Sequence, residues 1–182
     1  MTAPSPLREP QVLQAYQRRL NDALADTTTS TDAVIALEMG DQGWLVSLKD
    51  LAETSLCPAL AKTGSMPSGV MGVGNFRGRV NTVVSMPVLL AVPDDFRGQG
   101  WTTVLHSRLD VALALWWPRM LGLFSRSDFS RAHPNTPLLP ASRAAWENGD
   151  GRVWQELDTE RVLREKFGVG EMAGEANGQD SR

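Results

Sequence analysis

From residue 33 onward the apolar residues stop recurring at helical spacing and alternate at every second position, which limits the body of the chain to short strands. Residues 33–39 alternate, with Ile35, Leu37 and Met39 on one face. Gly40-Asp41-Gln42-Gly43 supplies a turn, and residues 44–48 return as a second strand to make a hairpin. Residues 51–67 carry Pro58, Gly64 and Pro67 and are expected to cross the surface as a loop. Two more strands are expected at 70–76 and 79–85, on either side of Gly78. Residues 92–100 are turn-rich, residues 102–106 and 110–117 are strand-like, and 119–124 form a short apolar piece. Residues 125–140 are polar, hold three prolines and read as a loop. Residues 141–146 and 152–157 form a last hairpin through Asn148-Gly149-Asp150-Gly151, residue types that tolerate positive φ. Many short strands with regular turns and no internal repeat define a mostly β, barrel-like architecture.

Both ends of the chain read differently. Leu13, Tyr16, Leu20, Ala23 and Leu24 recur at helical spacing within residues 7–25, and Pro10 suits a first helical turn. Residues 26–32 are rich in Thr and Ser and read as a linker, so residues 1–32 make an N-terminal helix and linker. Asp158 can cap a final helix over 159–167, with Glu160 in its first turn and Gly168 and Gly170 to stop it. Residues 168–182 are small and polar and are expected to be a disordered tail.

Composition excludes several classes of function. The formal net charge is -3 and no basic block extends the Arg18-Arg19 pair, so a nucleic-acid partner is not expected. The single cysteine, Cys57, permits no internal disulfide and fits a reducing, cytoplasmic compartment. The longest apolar run, residues 111–117, falls far short of the roughly 20 residues of a membrane span. Direct membrane insertion is therefore not expected.

The residues that carry chemistry form no catalytic set. Gly72-Val73-Gly74 fails a dinucleotide fingerprint, because Arg77 stands where a third glycine is needed and a strand, not a helix, follows. Cys57 has no base close in sequence, and the two histidines, His106 and His133, lie far apart and have no carboxylate at useful spacing. One cysteine and two scattered histidines give no metal-ligand spacing. His106 and Ser107, as strand neighbours, would point to opposite faces. Asp94-Asp95 reads as turn. Trp116 and Trp117 would also face opposite ways on a strand, either with one in the core and one toward a partner or with both buried between subdomains.

Gly72-Val73-Gly74-Asn75-Phe76-Arg77-Gly78-Arg79-Val80, followed by Val83-Val84 and Leu89, resembles the signature of CheW-like domains. The order of the other parts agrees over residues 33–167: a hairpin before the signature, a strand pair after it, and Asp150-Gly151-Arg152-Val153-Trp154 leading into a final helix. The N-terminal helix and the Asp-Gly-x-Val-Trp segment look like the branch that controls twitching motility through type IV pili. The resemblance implies two small five-stranded SH3-like β-barrels around a shared core, no cofactor and no catalysis. It implies an adaptor between a methyl-accepting chemoreceptor and a CheA-type histidine kinase, recruited from the cytoplasm to membrane-associated receptor arrays. It also implies that Val73, Asn75, Arg77, Gly78, Val83 and Val84 line or support those contacts. The chain departs from the signature at Thr82, at Ser85-Met86 and at Pro87. Arg77 has Phe76 to stack against and a planar fork that suits a carboxylate; the other reading is an ion pair within the chain that fixes the corner. The alternative function is a β-barrel interaction module in another signalling or pilus complex.

Overall fold

The computed structural model describes residues 32–62, 64–106 and 111–168. The expected helix at 7–25, nearly all of the linker before β1, Ser107 and residues 169–182 lie outside the described residues. Among the described residues eleven strands form two sheets. The first has six strands in the order β8-β1-β2-β11-β10-β9, with β1 Ala33–Met39, β2 Gln42–Ser47, β8 Arg119–Ser125, β9 Ser130–Arg131, β10 Ser142–Glu147 and β11 Val153–Leu157. The second has five in the order β3-β6-β7-β5-β4, with β3 Leu51–Leu56, β4 Val70–Phe76, β5 Arg79–Ser85, β6 Trp101–Leu105 and β7 Leu113–Trp117. The five-stranded sheet is thus an excursion of the chain between β2 and β8.

The sheets meet over a shared core. Ala33, Ile35, Leu37 and Met39 of β1, with Trp44 and Val46 of β2, face Val84, Leu113, Leu115 and Trp117 of the other sheet. The Trp44 and Trp117 rings, 6.5 Å apart, belong to opposite sheets. The alternation predicted one buried face for β1, but both are buried. Val34, Ala36 and Leu45 turn away from the shared core to pack with Phe129 and Trp154. The second sheet likewise has its own cluster, Cys57, Phe76, Val83, Val104, Ala114 and Trp116. Trp116 and Trp117 do point to opposite faces, and both are buried.

Several expectations need correction. The first sheet has six strands, not five, because two-residue β9 adds to its edge. Residues 51–56 are a strand rather than a loop: β3 pairs antiparallel with β6. Its continuation reaches β4 through one bridge, Ala61 with Val73, with both N–H···O distances at 2.9 Å. Gly72 makes room for that bridge, since a Cβ there would lie 2.6 Å from the Ala61 carbonyl oxygen. Pro87, one of the departures from the signature, lies outside the strands. β5 ends at Ser85, and Pro87 sits in the first turn of the four-residue helix Met86–Leu89, where its missing N–H costs nothing. Met86 fills the shared core.

The final helix is Thr159–Phe167, capped by the Asp158 carboxylate, which accepts from Arg161 N, and ended by Gly168 in the left-handed region. Thr159 Oγ1 lies 3.2 Å from the buried Asp50 carboxylate, which ties this helix to the crossing between the sheets. In the last hairpin, Trp154 lies directly on Gly43, where a Cβ would come within 2.6 Å of its ring. Arg152 lies over that indole at 4.7 Å and pairs with Glu38 at 2.5 Å. The Asp-Gly-x-Val-Trp segment is therefore a turn that delivers Trp154 to the interior of the first sheet.

A buried carboxylate also stands inside the first sheet. Glu156 accepts from Arg126 Nη2 at 2.9 Å, Arg143 Nε at 2.7 Å and Trp146 Nε1 at 2.6 Å. Arg126 and Arg131 both lie over the Trp146 ring, at 4.7 and 5.1 Å from its centroid. Burial pushes the Glu156 carboxyl up, but these hydrogen bonds outweigh it and hold the group below the ordinary glutamate range.

Candidate partner-binding site

The β4–β5 hairpin carries the signature residues. Phe76 pairs with Arg79, so Arg77-Gly78 is a two-residue connection, and both residues have positive φ, 49° and 83°. That is the backbone of a type I′ turn, whose twist matches the strands it joins. Glycine at 78 answers to this φ alone, because nothing lies within 4 Å of where its Cβ would be. Asn75 Oδ1 accepts from Gly78 N at 2.8 Å and locks the turn.

The turn lifts Arg77 out of the sheet. Its side chain is 63% exposed, and its Nε lies 3.3 Å from Glu53 Oε2 on β3. Glu53 is 15% exposed. Arg77 does not rest on Phe76, as the sequence suggested; Phe76 is buried in the cluster of the second sheet. Beneath the pair opens a cleft of about 730 Å³. Phe76, Val104 and Leu105 line it, Val80 stands 64% exposed, and Arg79 adds a second cation. The arrangement offers an apolar floor and a charged rim.

Not every expected site residue reaches this surface. Arg77, Gly78 and Asn75 are exposed on the turn, and Val73 is half-buried with its backbone held by Ala61. Val83 and Val84 point inward, Val83 to the cluster of its own sheet and Val84 to the shared core. They can act on a partner only by holding the hairpin in place. Glu53 and Val104 were not foreseen. Glu53 lies in the stretch taken for a loop, and the one available signal was the Leu51 to Leu56 spacing that ends just before Pro58.

The described residues that line the cleft include no cysteine, histidine, serine or threonine. Burial raises the Cys57 thiol above its ordinary value, the reverse of an activated nucleophile. His133 is on a surface turn, where its Nδ1 accepts from Asn135 N at 3.2 Å. Among the described residues no group of three or more His, Cys, Asp or Glu side chains converges as a metal site. Among the same residues, no helix is long and apolar enough to cross a membrane.

Two sheets around a common core, with a locked hairpin held over an open cleft, have the form of a binding module. The chain belongs to the CheW-like domain family, whose profile matches residues 33–167. Its fold is similar to that of the scaffolding protein TtCheW from Thermoanaerobacter tengcongensis, with a TM-score of 0.60 and 10% identity over 73% of this chain and 88% of that one. No curated protein sequence matches the chain.

Proposed function

We propose that this chain is a non-enzymatic adaptor coupling a chemoreceptor to a CheA-type histidine kinase, in chemotaxis or in type IV pilus twitching-motility signalling. It would work in the cytoplasm, recruited to receptor arrays at the membrane. Family membership supports the adaptor role. The observation that carries the site is Arg77, paired with Glu53 and held out to solvent over an apolar cleft by a turn that fixes both residues of its loop at positive φ. Arg77 is the exposed member of the pair, and an ion pair screened by solvent on one side adds little to stability, so the guanidinium is available for exchange with a partner's charges. Arg77 offers a planar fork to a partner carboxylate, and the floor takes an apolar side chain.

The test is calorimetry with the regulatory domain of the kinase and with the receptor tip from the same organism. Saturable binding near micromolar, about -8 kcal/mol, is expected from at least one of them. Arg77→Ala should weaken it at least about tenfold, and Arg77→Lys should recover only part, because a point charge cannot make the two-pronged contact. Unchanged affinity of Arg77→Ala for both partners would leave the pair as a structural corner only.

A further inference from the structure

We propose that the gap where the two sheets part, beside the β1–β2 turn, binds a small molecule with an apolar body and a cationic head, of the class of alkyl or arylalkyl amines. The gap is a cavity of about 410 Å³. The turn and β2 give it Gly40 and Trp44, the segment after the Met86–Leu89 helix gives Leu90 and Val92, and the loop before β10 gives Leu139. Leu90, Val92 and Leu139 pack against the shared core yet stay partly open, so the core has an uncovered end here. The volume lies within the range of about 300–1,000 Å³ usual for small-molecule sites. A chamber between three chain segments suits such a ligand, whereas a partner's helix or strand needs a long groove or an open edge.

The head group follows from the charges at one end. A second cavity, of about 480 Å³, shares Gly40, Asp41 and Pro93 with the first. Of its charged side chains, Asp94 and Arg119 pair at 3.6 Å. That leaves the exposed Asp41 and Asp95 against Arg97, two carboxylates to one guanidinium. Among the described residues neither carboxylate has a hydrogen-bonded or ionic partner. A cation entering this end gains from the surplus carboxylate and an anion loses, the more so beside an apolar wall that screens less than water does. The walls are fixed before a ligand arrives. The Asp94 carboxylate accepts from Gly40 N at 2.5 Å and from Phe96 N at 2.8 Å, which fastens the turn of the first sheet to a loop of the second. Ala91, on the wall, sits at φ 53°, in the left-handed region that alanine seldom enters. Such walls leave little ordering to be done on binding. Neither cavity shares a lining residue with the Arg77 cleft, so the two sites can be filled together.

Titration of the full-length protein with phenethylamine, followed by backbone amide resonances, tests this and needs neither kinase nor receptor. Resonances of Gly40, Asp41, Leu90 and Val92 should shift saturably, with a Kd on the order of 1 mM. Hydrocinnamate, of like shape and opposite charge, should bind at least about tenfold more weakly. Asp41→Asn/Asp95→Asn, two changes at the surface, should weaken the amine about fivefold or more and narrow its lead over the carboxylate. Val92→Phe should abolish the shifts by filling the chamber, and the same spectrum shows whether that variant is folded. No saturable shift at about 10 mM amine overturns the proposal. So does an equal response to amine and carboxylate, amine binding that ignores the paired Asn changes, or unchanged shifts in folded Val92→Phe.

Discussion

Glu156→Gln is expected to lower the unfolding free energy by about 3 kcal/mol near neutral pH, the scale seen when one member of a buried charge pair is removed. For a chain of this size that is a fall in melting temperature of about 6–12 °C. The cause is local. The carboxylate is almost wholly enclosed and satisfies Arg126, Arg143 and Trp146 together. Glutamine keeps the shape but removes the charge that two guanidinium groups share. The pH dependence has a definite sign. The folded-state pKa of Glu156 is depressed, so its contribution is complete above the unfolded value near 4.3 and is lost as pH falls through the folded value. The gap between wild type and Glu156→Gln should therefore narrow on acidification below about pH 4. Chemical denaturation across that range measures it, and a gap that stays constant with pH would sink this account.

Trp117→Ala should cost about 4 kcal/mol, within the range for emptying a buried tryptophan site. Trp117 is fully buried in β7, touches Trp44 of the other sheet, and donates from Nε1 to Thr103 Oγ1 at 3.1 Å. Its loss leaves a cavity in the shared core and a weakened partner for a buried hydroxyl. Trp117→Phe, which keeps most of the packing, should recover the larger part. Because the cavity lies between the sheets, hydrogen exchange should show both losing protection together. Loss confined to the five-stranded sheet would mean that the two are stable separately.

What the sequence disclosed was local. The β4–β5 hairpin was legible to the residue because its turn, its glycines and its valines lie side by side. The final helix was legible for the same reason, from Asp158 to Gly168. β3 was not, because two of its three buried residues, Thr54 and Ser55, are polar, and its partner β6 lies about fifty residues away. Glu53 was lost with it, and so was the partner of Arg77. The Glu156 cluster gave no signal at all, since Arg126 and Arg143 stand thirty and thirteen residues from it and meet it only in the folded sheet. Val83 and Val84 matched the signature but serve the interior, since a motif records that a position matters and not which way its side chain points.

The excursion between β2 and β8 bears on how the protein is made. During synthesis the β1–β2 hairpin emerges first, yet its lasting neighbours β8 and β11 are translated only after the entire five-stranded sheet. The five-stranded sheet is continuous from β3 to β7, so it can assemble while the ribosome is still working, and domains generally fold in that order. Val34, Ala36 and Leu45 must wait for their covers, Phe129 and Trp154, through this interval, and such long-range pairings make folding slow. The vulnerable period of this chain is thus its own translation, when an apolar hairpin with two open edges has only the newborn second sheet to shelter against.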